Sequence, residues 1–386
     1  MTGTKPVSAL IVREVSTRND LVQFLQLPAR LYRDDPAWVP PLLFERLHHL
    51  DPRRNPFFSH ADVRLWIAER DGLPVGRISA QFERTAAEAD HGSREGHFGF
   101  LEAEDSAETF GALFGTAEAW LRQRGARCIL GPFSLSINDE SGLLIDGFAT
   151  PPFIMMGHAR RCYARRIEEQ GYAKSKDLIA YAYDVTESPA TSIAAALSKM
   201  SARNGVIFRS MDRRRFDEEI AEVVRIFNDA WAGNWGFVAM SKDDLRYLAR
   251  NIRPLLRSGD VAFGEVNGET VAMAVCLPNI NEAIVDFGGR LLPLNWLKLI
   301  WRLKITGLES ARVALMGVVR KHQATPLGAM LMLGVIERIR VWHHAHGTRF
   351  AELSWVLEDN RPMRRLAERL GAVPHKTYRV YRKDCG

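Results

Sequence analysis

Two stretches of the chain alternate apolar and polar residues on either side of a two-residue turn. Residues 64–82 run RLWIAERDGLPVGRISAQF, with Asp71-Gly72 at the turn. Residues 261–277 run VAFGEVNGETVAMAVCL, with Asn267-Gly268 there. Alternation at period two predicts strands with one face buried, and Asp-Gly or Asn-Gly between them predicts a tight hairpin. The pattern then changes in the same order twice. An apolar strand begins near Phe98 and again near Val313. A long helix follows, over 107–124 and over 326–346. A strand follows each helix, from Cys128 and from Ala351. A basic amphipathic helix, a glycine and an alternating strand close each series, from Tyr163 and from Met363. Before the hairpins, helical spacing covers 19–29 and 42–49 in the first series, and 216–231 and 242–252 in the second.

The two series align residue by residue at their ends. Gly171 matches Gly371, Lys176 matches Lys376 and Tyr181 matches Tyr381, each pair 200 positions apart. The hairpin turns are 196 positions apart. The chain therefore reads as a tandem repeat of one α/β unit. The expected units are 1–187 and 188–386, with the linker over 186–190, where Glu-Ser-Pro interrupts the pattern. The second unit also carries an apolar insertion over 288–310.

Composition narrows the class. Of 386 residues, 46% are hydrophobic and 25% charged, which allows each half its own core. No apolar run reaches the ~20 residues that span a bilayer. The N-terminus lacks the basic start and apolar run of a secretory signal. Cys128, Cys162, Cys276 and Cys385 are scattered and form no CxxC pair. A disulfide framework and a metal site are not expected, and a reducing cytoplasm fits. The net charge of +6 suits an anionic small ligand or an anionic membrane surface. No helix-turn-helix, zinc-finger or RNP signature supports nucleic acid as a partner.

Helices, an antiparallel hairpin, then strand–helix–strand–helix–strand is the element order of the GNAT acyltransferases, and the second half resembles them in detail. Residues 317–331, GVVRKHQATPLGAML, look like that family's pyrophosphate loop, with Gln323 at its Gln/Arg position and Gly328 at its last position. The resemblance implies an α/β (α+β) fold of two GNAT-like units, each a mixed, mainly antiparallel twisted sheet flanked by helices. It implies acyl-CoA as co-substrate, held by Val318, Val319, Gln323, Gly328 and Ala329, with Asn360 on the pantetheine arm or ordering its loop. Backbone N–H groups at a helix N-terminus suit a phosphate. Pro326 replaces the family's middle glycine and has no N–H to offer, so one phosphate contact should be missing. Position 367, where the family often has a tyrosine acting as general acid, holds alanine. Tyr378 and Tyr381 belong to the last strand and read as sheet residues. The first half has Glu102, Glu104, Asp105 and Glu108 where phosphates would bind, and reads as a degenerate copy. Along nearly its whole length the chain is similar to tandem GNAT-like bacterial proteins that include bacterial ceramide synthases.

N-acyl transfer needs an amine relieved of its proton beside a thioester. Glu358, ending a strand next to the expected coenzyme site, is the first candidate base; the alternative is a residue that caps or solvates the next helix. Asn138, Asp139 and Glu140 form a second cluster, with Asp139 and Glu140 as candidate acid–base groups and Asn138 as a substrate contact; the alternative is a turn closed by side-chain hydrogen bonds. His322 borders the coenzyme loop and is a further catalytic candidate or a surface residue. Leu294, Trp296, Leu297, Ile300, Trp301 and Leu303 interleave with Lys298, Arg302 and Lys304. That pattern suits an interfacial helix or a lid in which Trp296 and Trp301 touch a greasy substrate, or else a core helix.

The expected activity is an acyl-CoA-dependent N-acyltransferase whose amine acceptor is a long-chain sphingoid base. It would be cytoplasmic and peripheral on the inner membrane. The competing readings are an aminoacyl-tRNA-dependent transferase of the peptidoglycan-bridge type and a non-catalytic GNAT-like binding module. The sequence leaves the oligomeric state open.

Overall fold

The computed structural model describes residues 9–84, 94–187 and 205–385. The first half runs β1 (Leu10–Glu14), α1 (Arg18–Leu31), α2 (Leu43–His49), β2 (Ala61–Arg70), β3 (Leu73–Glu83), β4 (Glu95–Ala103), α3 (Ala107–Gln123), β5 (Cys128–Gly131), the short β6 (Phe133–Ser134), β7 (Glu140–Ser141) and β8 (Leu143–Asp146), α4 (Tyr163–Glu168) and β9 (Ala173–Asp184). The second runs β10 (Val206–Ser210), α5 (Phe216–Trp231), α6 (Lys242–Ile252), β11 (Val261–Val266), β12 (Glu269–Pro278), α7 (Asn295–Trp301), β13 (Ser310–Val318), α8 (Pro326–Ala345), β14 (Phe350–Leu357), α9 (Arg361–Arg369) and β15 (Val373–Asp384). The expected elements are thus present in the expected order. The edge strands β1 and β10 are additions.

Local chemistry sets the boundaries. Asp71 and Gly72 have φ of 53° and 74°, and Asn267 and Gly268 have 51° and 83°. Both hairpins therefore turn through the left-handed region that Asp, Asn and Gly tolerate. Thr17 and Ser241 cap α1 and α6 with reciprocal capping boxes to Asp20 and Asp244. Ser106, Thr325 and Asn360 each cap a helix by accepting one backbone N–H.

The chain forms two compact units, and each borrows from the other half of the sequence. Unit 1 comprises 1–178, 287–291 and 376–386, and unit 2 comprises 179–286 and 292–375. In unit 1 the sheet order is β1-β2-β3-β4-β5-β15, with β8 also on β15. Its strand β15 pairs antiparallel with β5, Tyr381 opposite Gly131. In unit 2 the order is β10-β11-β12-β13-β14-β9. Tyr181 and Tyr183 of β9 pack there with Ala351, Leu353, Ala367 and Ala372. Each sheet has a parallel pair, β4–β5 in unit 1 and β13–β14 in unit 2, while β1–β2, β2–β3, β3–β4 and β5–β15 in unit 1 and β10–β11, β11–β12 and β12–β13 in unit 2 are antiparallel. The expected linker begins in the described turn after β9 and continues into 188–190, outside the described residues. A core of Phe24, Ile67, Phe100 and Leu135 lies under α1 and α2 in unit 1.

Candidate functional site

The parallel pair of unit 2 opens partway along. Strands β13 and β14 pair from Ser310 with Phe350 to Val313 with Leu353, and no further. Both strands continue, to Val318 and Leu357. The ladder between β12 and β13 changes register at the same level: Val275 faces Leu315 while Cys276 faces Val313, which leaves Ala314 as a bulged residue. A bulge bends and twists its strand. Here the bulge coincides with the level at which β13 and β14 stop pairing. Residues 313–316 are accordingly half-buried although β13 is an interior strand.

Aromatic side chains line this level of the unit. Trp231 of α5 stands edge-on to Trp355 of β14, ring centroids 6.0 Å apart, and donates its indole N–H to the Met316 carbonyl at 3.3 Å. Phe227 packs on Trp231 and on Phe237.

The loop leaving β13 is closely built. After Val319 comes a short helical turn, Arg320–Gln323, and then α8 with Pro326 in its first turn. Gln323 Nε2 donates to the carbonyls of Ala230 and Val318, at 2.9 and 3.0 Å, which fastens the loop to α5 and β13. Val318 and Val319 are buried. The Val319 N–H donates to Val271 and its carbonyl accepts from His322, so both groups are used by the loop itself. Thr325 Oγ1 accepts the Gly328 N–H at 3.0 Å and donates to the His322 carbonyl at 2.7 Å. The Ala329 N–H donates to the Thr325 carbonyl. A Cβ at Gly328 would lie 1.9 Å from the His322 carbonyl oxygen, so only glycine fits. The loop also carries cations. Arg320 is 64% exposed and pairs with Asp229, and Lys321 is 51% exposed and pairs with Glu269. His322 is half-buried between them and the helix.

At the far end of β14, Glu358 is half-buried, and its carbonyl accepts from Arg364 Nη1 at 2.8 Å. Asn360 caps α9 by accepting the Met363 N–H, so it orders the turn after β14. On the sheet face opposite α9 runs a buried polar chain that the sequence did not signal. Arg312 Nε donates to Ser354 Oγ at 2.8 Å, and Ser354 Oγ donates to Glu352 Oε1 at 2.6 Å. Glu352 Oε2 is 2.8 Å from His375 Nε2. Glu352 is fully buried, and His375 is the more exposed end.

Unit 1 has the same parallel pair, but its opening is filled. Strands β4 and β5 pair only from Glu95 with Cys128 to His97 with Leu130. Beyond that point the Phe133 carbonyl enters the gap, where it accepts from Gln81 Nε2 at 2.6 Å. A Cβ at Gly99 would lie 1.7 Å from that oxygen. The link from β4 to α3 is only Glu104–Asp105–Ser106, with Ser106 Oγ taking the Thr109 N–H. The four carboxylates expected to repel a phosphate are each engaged. Glu104 and Glu108 bind Arg70, and Asp105 binds Arg165 and Arg166. Glu102 accepts from the hydroxyls of Tyr32 and Tyr163, at 2.8 and 2.9 Å.

Asn138, Asp139 and Glu140 also belong to unit 1. Asp139 Oδ2 accepts from the Ser136 N–H and hydroxyl, and the Asn138 N–H donates to Ser136 Oγ. Glu140 pairs with Arg46 at 2.7 Å, and His49 Nε2 lies 3.9 Å from Asp139. The cluster is a closed polar turn against α2. Of the expected residues, unit 2 brings together Val318, Val319, His322, Gln323, Gly328 and Ala329 in one loop and Glu358 and Asn360 at the end of β14. Trp296 and Trp301 lie on α7 in the same unit, exposed, so the helix is not a core helix. Thr325, Trp231, Trp355 and the Arg312–His375 chain were not singled out in advance. Thr-Pro before Gly328 is a helix-start signal that could have found the first. Tyr378 and Tyr381 are fully buried on β15, as sheet residues. Among the described residues, no group of three or more His, Cys, Asp or Glu side chains is placed to hold a metal ion, and no helix is long and apolar enough to cross a membrane.

No family model matches the chain. Individual proteins do. It is 45% identical over 374 residues to the bacterial ceramide synthase of Caulobacter vibrioides, covering 97% of each. It is 43% identical over 379 residues to protein YghO of Escherichia coli, covering 97% of this chain and 95% of that one. Among solved structures, it superposes on a tandem GNAT protein from the clavulanic acid biosynthesis pathway with a TM-score of 0.55 at 15% identity, over 98% and 99% of the two chains. A GCN5-related N-acetyltransferase from Sphaerobacter thermophilus gives 0.54 at 14% identity, over 97% and 95%. These two structures establish the tandem GNAT fold.

Proposed function

We propose, from the premise that this chain belongs to the bacterial ceramide synthase family, that it transfers an acyl group from acyl-CoA to the amine of a long-chain sphingoid base. The observation that carries this reading is the contrast between the two parallel strand pairs. Beyond Val313 and Leu353 strands β13 and β14 no longer pair and a built glycine loop follows, whereas the counterpart in unit 1 is entered by the Phe133 carbonyl. This contrast supports one coenzyme site, in unit 2.

In this reading the pyrophosphate lies against the turn from Thr325 to Ala329, with Arg320 and Lys321 supplying positive charge, His322 beside them and the α8 N-terminus adding its dipole. Val318, Val319 and Gln323 hold the loop in shape. The pantetheine arm takes the unpaired edge of β14, ordered by Asn360. The thioester reaches the bulge at Ala314, where a backbone group outside the ladder can polarise its carbonyl. Glu358 takes a proton from the ammonium, directly or through a water. His375, oriented by buried Glu352, is the second candidate for that step. The freed amine attacks the thioester carbon, the C–N bond forms, the C–S bond breaks, and the departing thiolate takes up a proton. Trp296 and Trp301 would contact the acceptor chain. Asn138, Asp139 and Glu140 are a second polar candidate, in unit 1.

The test is a direct assay of the purified protein with short- and long-chain acyl-CoA and a panel of amines. Thiol release should match amide formation one to one, with a long-chain amino alcohol as the best acceptor. Binding of acyl-CoA with no turnover on any amine would overturn the reading.

A further inference from the structure

Among the described residues of unit 2, exposed large apolar side chains concentrate between Leu292 and Ile305. Leu292, Leu294, Trp296, Leu297, Ile300, Trp301 and Ile305 are between 41 and 72% exposed. Such side chains are normally buried, and a contiguous exposed set marks an interaction surface. Leu294, Leu297, Trp301 and Ile305 fall at i, i+3, i+7 and i+11, which aligns them in one stripe along α7 and the wider helical turn Arg302–Thr306 that continues it.

Charge identifies what covers the stripe. From Phe287 to Leu308 the chain has Arg290, Lys298, Arg302 and Lys304 and no carboxylate. Arg302 binds Asp286 through two hydrogen bonds, at 2.5 and 3.0 Å, and also donates to the Ala283 carbonyl at 2.6 Å. Lys298 shares the same Asp286 at 3.6 Å. Two cations therefore share one carboxylate on one flank, and Lys304 adds a third on the other. The Trp296 indole N–H is already satisfied by the Pro293 carbonyl. The cationic flank fastens the helix to the body of the unit and leaves the apolar stripe outward. A second copy of this chain would bring like charges together across a two-fold contact, which is unfavourable. An anionic lipid surface satisfies both halves of the pattern: the stripe enters the acyl boundary while the basic side chains stay among headgroups.

We infer that Leu292–Ile305 is an in-plane membrane anchor that docks unit 2 on an anionic bilayer. This deepens the reading of a lipid acceptor, since it delivers the protein to the surface where such an acceptor dissolves. Docking needs no turnover, so it stands or falls separately from the chemistry.

The experiment is flotation of the purified chain with vesicles of phosphatidylcholine alone or mixed with phosphatidylglycerol, with tryptophan emission recorded in parallel. The wild type should float with the mixed vesicles and shift its emission to the blue. The double variant Leu297→Glu/Trp301→Glu should bind at least about tenfold more weakly, with its melting temperature unchanged. Lys298→Glu/Lys304→Glu should lose about tenfold or more on the anionic vesicles, as ~1 kcal/mol per basic residue requires. Equal flotation of wild type and Leu297→Glu/Trp301→Glu, or no flotation of either, would overturn the anchor. So would a concentration-dependent dimer abolished by that variant, which would assign the stripe to a second copy.

Discussion

The Tyr181 hydroxyl donates to Glu368 Oε1 at 3.3 Å, and the same pair recurs 200 positions on with its members exchanged: Tyr381 donates to Glu168 Oε1 at 3.2 Å. Each pair joins a strand from one half of the chain to a helix from the other. Unit 1 is completed by β15 and unit 2 by the end of β9. Neither half of the sequence therefore contains its own last strand. Residues 1–187 and 188–386, expressed separately, should fail to fold cooperatively, and should recover when co-expressed. Circular dichroism melts decide this: a sharp independent transition of 1–187 alone would rule it out.

Gly328 and the His322 carbonyl define the tightest point of the loop proposed to hold the coenzyme. Gly328→Ala puts a Cβ 1.9 Å from backbone oxygen that cannot swing aside. The loop must move, at a cost of about 1–3 kcal/mol, and the turn from Thr325 to Ala329 loses its shape. The KM for acyl-CoA should rise by about tenfold or more, while urea unfolding shows only this modest loss. An unchanged KM would remove the loop from the coenzyme site.

Gln323 and Ser106 provide a paired comparison between the two copies. Gln323→Ala frees the Ala230 and Val318 carbonyls from the loop. With two hydrogen bonds of about 1 kcal/mol each involved, the KM for acyl-CoA should rise roughly tenfold. Ser106→Ala removes the cap of α3 in unit 1 and should cost about 1 kcal/mol of stability with no change in KM. A KM effect of Ser106→Ala would mean that unit 1 handles the coenzyme.

The fold was legible where short-range chemistry decides it. Asp71-Gly72 and Asn267-Gly268 need left-handed backbone, and the turns are where the dipeptides stand. Pro326 marks the start of α8 because its missing N–H is harmless there. The tandem repeat was legible from Gly171 and Gly371. Which strand completes which sheet was not, because Tyr181 and Tyr381 lie in equivalent patterns and the alternation is blind to partner choice. The candidate site was half legible. Gln323, Gly328 and Asn360 were found by motif, but their side-chain and backbone groups build the loop rather than project from it. The chain from Arg312 to His375 joins three strands, and no spacing along one strand reveals it.

That chain makes its own prediction. Glu352 is fully buried and Arg312 nearly so, with Ser354 bridging them. Glu352→Gln removes the carboxylate from a buried guanidinium–hydroxyl–carboxylate chain, which typically costs 3–5 kcal/mol. Pairing it with Arg312→Met should restore part of that loss, because the second charge then leaves as well. A double-mutant cycle by urea unfolding measures the coupling. Strict additivity of the two substitutions would show that the groups are energetically independent.

Glu102 ties the stability of unit 1 to pH. Burial pushes its carboxyl up to about 7 from the ordinary 4.5, against the lowering effects of Arg77 and of the hydrogen bonds from Tyr32 and Tyr163. In the unfolded chain the group ionises near its ordinary value. Between those two pH values the unfolded state releases a proton that the folded state keeps, so stability falls as pH rises through the window and levels off above it. The shift corresponds to about 3 kcal/mol at most. His97 works in the opposite sense, since burial holds it down at about 4, and the raw pH profile of the wild type mixes the two. Glu102→Gln isolates the carboxyl, because the amide keeps an oxygen for the tyrosine hydroxyls and cannot ionise. The variant should match the wild type near pH 4.5 and gain on it steadily to pH 7, by up to about 3 kcal/mol in urea unfolding. Parallel stability curves for the two proteins from pH 4.5 to 8 would mean that Glu102 is already ionised in the folded state, with Arg77 outweighing its burial.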